Sequence, residues 1–381
     1  MNLNDYFDPV ELNKPDDYFI TSESVLGRNL KINTSNTPID EISNYQIALF
    51  GVPEESNSYN KGTALAPDVV RNKLYQLFRI NNKLRIIDLG NLKPGKTFSD
   101  TYFGLREIVS ELLHNQLVSI IIGGSQDLTT GCFMGYEQFK NSINLVTIDS
   151  TIDLDNTNSG SDNYLSVILK SNKLLNYINI GHQQYLTSDE NISFLNNKNF
   201  ELHRLGIVRN HISLMEPVLR DADLISLDIG SVKQGDSPGR IHASPNGFFS
   251  DEICKIARYA GISDRVSTFG LFELNPKYDI NNQTSGLAAQ IIWHFIDGFS
   301  SRINEYPEDN NANFKKFIIS NVNNEHELIF LKSIYTERWW MEIPVIETGK
   351  SVYVACSQED YNKACNHEIP DRWWKSYQKL N

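Results

Sequence analysis

The chain has 381 residues of ordinary globular composition, 40% hydrophobic and 22% charged, a length that admits one large α/β domain or two smaller ones. A formal net charge of −12 leaves no basic surplus to neutralise phosphates, which excludes duplex nucleic acid as a partner and disfavours anionic membranes. Apolar runs stop at strand length, short of the roughly 20 residues of a membrane span; the opening MNLNDYFDPVELNKPDD lacks the basic start and apolar centre of a leader; and four cysteines make no disulfide framework, so a cytoplasmic, reducing location is expected.

Residues 1–43 carry little periodicity and read as a loosely structured N-terminal arm. From 44 to 300, short apolar runs alternate with amphipathic segments. YQIALFGVP (45–53) is followed by a helix pattern, APDVVRNKLYQLFR (66–79), with Pro67 suited to its first turn. LRIIDLG (84–90) precedes the helix pattern YFGLREIVSELLHN (102–115), and LVSIIIGG (117–124) and NLVTIDS (144–150) come next. YINIGHQ (177–183), FELHRLG (200–206) and ADLISLDIG (222–230) lead to SDEICKIARYAG (250–261), a helix with Ser250 and Glu252 as start signals and Gly261 as a stop. STFGLFEL (267–274) and the helix pattern TSGLAAQIIWHFIDGF (284–299) complete the set. The apolar runs are β-branched and do not alternate, as in strands covered on both faces. Eight such strands predict a three-layer α/β/α fold around a mostly parallel eight-stranded sheet.

The pattern changes over 301–381. NEYPEDNNAN (304–313) reads as a polar linker, FKKFIIS and ELIFLKS as two short strands, and RWWMEIP (338–344) and PDRWWKSYQ (370–378) as aromatic segments. With little apolar mass for a core of its own, this part is expected to be a tryptophan-rich extension packed on the main domain. Trp339, Trp340, Trp373 and Trp374, beside Arg338 and Arg372, have two readings: a tail that buries itself, or a docking surface for a protein partner, since Trp and Arg dominate hot spots. Cys356, Cys365 and His367 have no second half that would make a zinc site, so ordinary packing is expected.

In parallel sheets ligands bind outside the carboxyl ends of the strands. There the chain places GGSQD (123–127), DSTID (149–153), SLDIGS (226–231) and FELNPKYD (272–279). Gly123 and Gly124 suit a tight turn. Asp149, Asp153 and Asp228 are carboxylates at the ends of buried strands, and such a cluster repels itself unless a cation or protons neutralise it. His182 and His242 lie in neighbouring strand-end loops, as ligands or as ordinary loop residues.

In order and spacing these segments resemble the arginase, agmatinase and formimidoylglutamase superfamily, the ureohydrolases, over roughly residues 44–300. IIIGGSQD stands where the family has Gly-Gly-Asp-His-Ser, IDSTIDL where it has Asp-Ala-His-x-Asp, ISLDIGS where it has Ser-Phe-Asp-x-Asp, and LFELNPKYD matches Glu-x-Asn-Pro-x-x-Asp. The resemblance implies an arginase-like fold, often trimeric or hexameric, and two manganese ions bridging a hydroxide that attacks a guanidinium or amidine carbon. It implies that Asp149, Asp153 and Asp228 are metal-binding aspartates and that Glu273, with Asn275 and Pro276 after it, binds the substrate's cationic group. Three of the six ligands it calls for are replaced, by Gln126, Thr151 and Gly230, and Ser125 replaces the acid before the first; SGSDNYLS (159–166) fits the substrate loop only loosely.

That donor set leaves one metal position with Asp149 and Asp228, and the other with three carboxylates and the Gln126 amide oxygen. An all-oxygen set suits a single Mg²⁺ or Ca²⁺ better than a manganese pair, and the same acids can instead be held without any ion by hydrogen bonds to backbone N–H groups and helix N-termini. Two functions are therefore carried forward. One is a catalytically impaired binding or scaffold protein with a vestigial pocket. The other is an active metal-dependent C–N hydrolase of a guanidino or formimino compound, with Asp149, Asp153 and Asp228 on the metal and Glu273 on the substrate.

Overall fold

A computed structural model describes residues 1–11, 22–80, 83–155, 160–307, 311–320 and 327–381. In chain order its elements begin with β1 (Phe7–Asp8), β2 (Lys31–Ile32), β3 (Ile47–Val52), α1 (Ala66–Tyr75), β4 (Ile86–Leu92), α2 (Phe98–His114), β5 (Val118–Gly123), α3 (Thr129–Phe139) and β6 (Ile143–Ile148). Then come α4 (Tyr164–Ile168), β7 (Leu174–His182), α5 (Asp189–Asn197), β8 (Glu201–Arg204), α6 (Leu205–Asn210), α7 (Met215–Arg220), β9 (Leu224–Asp228), α8 (Ser250–Ile262), β10 (Thr268–Phe272) and α9 (Gln283–Ser300). The chain ends with β11 (Phe314–Ile319), β12 (Leu328–Ser333), β13 (Trp339–Val345), β14 (Lys350–Cys356), α10 (Gln358–Cys365) and α11 (Asp371–Leu380).

The eight expected strands form a parallel sheet in the order β4-β3-β5-β10-β9-β6-β7-β8. Their side chains divide with a period of two. Ile47, Leu49, Ile120 and Ile122 face a layer made by α1, α7, α8 and α9, while Ala48, Phe50, Val52 and Ile121 face α2, α3 and α4. Both faces are buried, which is why the runs do not alternate in the sequence. The described part of the N-terminal arm is more ordered than its composition suggests. Its β1 pairs antiparallel and its β2 parallel with β4, extending the sheet to ten strands.

Two helix signals act differently from the sequence reading. Ser250 is the first residue of α8, and Glu252 accepts from the Phe249 N–H at 2.8 Å. Gly261 lies inside α8 rather than ending it: a Cβ there would stand 2.1 Å from the Phe295 carbonyl oxygen, so the glycine lets α8 and α9 touch backbone to backbone.

The expected linker over 304–313 lies partly outside the described residues. Beyond it the chain makes a four-stranded antiparallel sheet, β11-β12-β13-β14, where two strands were expected. Leu328, Phe330, Trp339, Met341, Ile343 and Trp373 form a small apolar cluster there, so the extension has more core than its composition implied. It is fastened to the main sheet by charge as well as packing. Arg220, at the end of α7, donates through Nη2 to the carbonyls of Trp339 (3.1 Å) and Cys356 (3.2 Å) and lies 4.3 Å from the Trp340 ring. Asp221 accepts from the Ala355 N–H and from Arg372 Nη2, both at 2.9 Å. Trp339, Trp340 and Trp373 are buried in this arrangement, and Trp374 is 45% exposed.

Candidate functional site

In sequence, β5 is followed by β6, but in space β10 and β9 lie between them. This reversal puts the carboxyl ends of β5, β10, β9 and β6 side by side at a switch point of the sheet. Asp149 follows β6, Asp228 ends β9, Glu273 follows β10, and Gln126 lies just beyond β5. Segments up to 147 residues apart thereby meet: the Gln126 N–H donates to Glu273 Oε1 at 3.0 Å.

The three replaced positions now make hydrogen bonds to carboxylates. The Thr151 N–H donates to Asp149 Oδ1 (3.0 Å), and its hydroxyl lies 3.2 Å from both Asp149 Oδ1 and Asp153 Oδ1. The Gln126 backbone N–H donates to Glu273 Oε1, and its side-chain amide reaches the acids: with no cation between them, its nitrogen turned inward would donate to Asp149 Oδ2 (2.9 Å) and Asp153 Oδ2 (3.3 Å). The Gly230 N–H donates to Asp228 Oδ1 at 2.6 Å.

The space beside Gly230 is filled by Arg240, a residue the sequence reading passed over. A Cβ at position 230 would lie 1.6 Å from Arg240 Nη1. Arg240 Nη2 is 3.0 Å from Asp228 Oδ2 and donates to the Tyr59 hydroxyl at 3.3 Å. Burial opposes its charge, but Asp228 foremost, with Tyr59, Glu273 and Asp149, holds its pKa above the ordinary guanidinium value. Its backbone is anchored on both sides. The Gly239 N–H donates to Thr284 Oγ1 (2.7 Å), the Gly239 carbonyl accepts from the Asn275 N–H (2.7 Å), and the Ile241 N–H donates to Asn60 Oδ1 (3.3 Å). The available signal was indirect: buried acids without their usual partners require a cation, and Arg240 sits in a strand-end loop two residues before His242.

Burial, reinforced by the charge of Asp228, pushes the Asp149 carboxyl up to about 7. Burial and then Asp149 raise Asp153 well above the usual carboxylate range, and burial raises Asp228 against the pull of Arg240. Glu273 is pushed up to about 7 by burial, again opposed by Arg240. Its backbone sits in the left-handed region, φ 65°, a conformation that is costly for a residue with a Cβ and is held by surrounding contacts. Its oxygens are engaged by the chain itself: Asn60 Nδ2 donates to Oε2 at 3.0 Å, and the Ser58 hydroxyl lies 3.5 Å from Oε1 beside the Gln126 N–H.

Other expected site features are placed differently. Gly123 and Gly124 admit close neighbours where the chain leaves β5, since added Cβ atoms would meet the Phe272 ring at 2.2 Å and the Glu54 carbonyl oxygen at 1.9 Å. His182, buried at the end of β7, is pushed down to about 4 by burial, then Arg204 and His203. His242 stacks on Tyr59, 6.4 Å between ring centres. Cys356 is buried and Cys365 exposed, both as free thiols. The first residue of the loop 159–166 lies outside the described residues; Asp162 in it is half-buried, and burial raises its pKa. Among the described residues no group of three or more His, Cys, Asp or Glu side chains is arranged to hold a metal ion. The residues present do not fit a manganese pair. The imidazole and carboxylate donors are replaced by a hydroxyl, a neutral amide and a glycine, and a guanidinium stands against Asp228.

Helix layers on both faces of a parallel sheet, with acids gathered where its central strands end, define a three-layer α/β/α protein of the ureohydrolase kind. The chain belongs to the arginase family, whose model matches residues 45–297. The formimidoylglutamase of Staphylococcus haemolyticus is 23% identical over 257 residues, covering 64% of this chain and 81% of that protein. Among solved structures, the Trypanosoma cruzi formiminoglutamase with Mn²⁺ is 19% identical with a TM-score of 0.64, covering 70% of this chain and 97% of that one. The Bacillus subtilis arginase is 16% identical with a TM-score of 0.59, covering 66% and 98%. At these identities the structural likeness is one of fold.

Proposed function

We propose that this chain is a catalytically impaired arginase-family protein that serves as a binding or scaffold protein. The observation that carries this reading is the Arg240–Asp228 ion pair at 3.0 Å inside the carboxylate cluster. A guanidinium there gives like-charge repulsion to any divalent ion seeking Asp228, and it has no open position for an activated water. The backbone N–H groups of Gln126 and Gly230, which donate to Glu273 Oε1 and Asp228 Oδ1, support the same reading, because donors aimed at carboxylates satisfy them without metal. The outward ring of Trp374, stacked on Tyr377 at 6.0 Å, is the tryptophan left for contact with a protein partner.

The experiment is metal analysis of the purified full chain, followed by incubation with added Mn²⁺ and formimidoylglutamate, arginine or agmatine. The expected result is no stoichiometric manganese and no formamide or urea released above background. Two equivalents of manganese with product release would replace this reading by the hydrolase one. That alternative draws on the retained Asp149, Asp153, Asp228 and Glu273 and on the names of the relatives.

A further inference from the structure

We propose that Arg240 is the resident cation of this site: the carboxylate cluster is a cation-binding centre kept closed by a side chain of its own protein. The proposal deepens the reading above and rests on it.

Charge is the first argument. Asp149, Asp228 and Glu273 are each 1–2% exposed, and Asp153 is hydrogen-bonded to the same Thr151 hydroxyl as Asp149. Buried acids at this density need positive charge or protons. Among the described residues, the ion pair made to this cluster is that of Arg240 with Asp228.

Shape is the second. Position 230 and Arg240 share one volume. A Cβ on Gly230 would stand 1.6 Å from Nη1, 2.6 Å from Cζ and 2.9 Å from Cδ of Arg240. Any side chain at 230, a carboxylate included, would have to move the Arg240 head group from its present place against Asp228. The glycine and the arginine therefore act as a pair: where the family resemblance calls for a carboxylate, the glycine leaves room for a cation from the neighbouring loop.

Support is the third. The Arg240 backbone is tied at Gly239 to Thr284 and Asn275 and at Ile241 to Asn60, and Asn60 also donates to Glu273. The arginine is delivered by a loop built into the site, not laid over it. Its Nε is buried without a hydrogen-bond partner among the described residues, so the head group is held by charge more than by a full set of hydrogen bonds. Such a cation is displaceable in principle by one with higher charge. Within the wild-type chain, however, it is tethered at high effective concentration.

The test compares wild type with R240A and R240Q by titration with Mn²⁺ and with Ca²⁺, read by calorimetry and by thermal unfolding. Wild type should bind neither ion at millimolar concentration. R240A and R240Q should each gain one divalent site at least about tenfold tighter than any wild-type binding, the like-charge repulsion having been removed. Their melting temperature should be lower without the ion and should rise with it. R240Q retains most of the volume and guards against a failure to fold. A cycle with G230A separates shape from charge: G230A should lower the melting temperature more in wild type than in R240A, by displacing the Arg240 head group. A wild type that already binds manganese stoichiometrically and releases product overturns both the functional reading and this one. A metal-free, inactive wild type whose Arg240 variants gain no cation affinity, or in which G230A costs the same in both backgrounds, overturns this inference alone.

Discussion

Thr151 has one hydroxyl proton and two carboxylate oxygens, Asp149 Oδ1 and Asp153 Oδ1, each 3.2 Å away. It can donate to only one at a time, so a proton on one of the acids settles the arrangement. This gives the site a pH dependence of unusual sign. The Asp149 carboxyl is lifted by burial from 3.8 to about 7, so between those values the folded chain holds a proton that the unfolded chain releases. Its contribution is complete at acid pH and is lost as pH rises from about 4 through about 7, because stability falls with pH wherever the native state binds more protons. Glu273, also lifted by burial to about 7, adds in the same direction. Glu201 opposes them. Burial alone would raise it, but Arg372, with His203 and Lys379, holds it well below the usual carboxylate range, so its contribution is present above the ordinary pKa and lost on acidification. D149N keeps the shape and cannot ionise. It should flatten the decline between pH 5 and 8 and stabilise the chain at pH 8 by on the order of 1–3 kcal/mol, measured by urea unfolding across pH. A D149N slope equal to that of wild type would show that Asp149 ionises freely in the folded chain.

At the scale of elements, α8 and α9 approach backbone to backbone, where Gly261 faces the Phe295 carbonyl at 2.1 Å and Gly298 faces the Arg258 carbonyl at 2.3 Å from a would-be Cβ. G261A must push these helices apart and should cost roughly 1–3 kcal/mol, as overpacking of a filled interior does; thermal unfolding reads the loss, with G286A, where a Cβ meets nothing within 4 Å, as the control. The sequence marks Gly261 as a helix stop because a glycine near the end of a periodic run carries the same signature whether it ends a helix or admits a neighbour. The eight core strands were legible for the opposite reason: burial on both faces leaves unbroken β-branched runs such as SIIIG and LVTI, and their polar end residues stand out. The acids Asp149, Asp153, Asp228 and Glu273 were legible as a group because the parallel topology fixes which ends adjoin. Arg240 was not, since its meaning depends on a three-dimensional coincidence with Gly230 that no spacing rule encodes. The β13–β14 hairpin did leave a signal, Gly349 at φ 63° between two apolar runs, but it lay within a segment rich in charge and aromatic rings.

At the scale of the molecule, the question is whether the main sheet and the C-terminal sheet stand apart. The seam argues that they fold together. Arg220 is 5% exposed and gives Nη2 to two carbonyls of the extension, and its Nε and Nη1 have no hydrogen-bond partner among the described residues, although Nε lies 3.5 Å from Glu216. Asp221, 8% exposed, takes both of its seam donors, Ala355 N–H and Arg372, on Oδ2. Removing the extension would strip Arg220 of its two carbonyl acceptors and Asp221 of its two seam donors, leaving Arg220 with Glu216, beside the bared surface that Trp340 covers. D221A breaks the same seam within the full chain. Because it leaves Arg372 buried with one fewer counter-charge, it should cost about 3 kcal/mol, somewhat offset by Glu201 nearby. If the two sheets share one cooperative transition, D221A shifts the whole melting curve, with tryptophan fluorescence and far-ultraviolet circular dichroism moving together. A chain ending at Tyr306 should then melt well below the full-length protein. If the truncated chain instead melts at the full-length temperature, the extension is an independent appendage, and the buried charges of Arg220 and Asp221 are satisfied by the main domain and solvent alone.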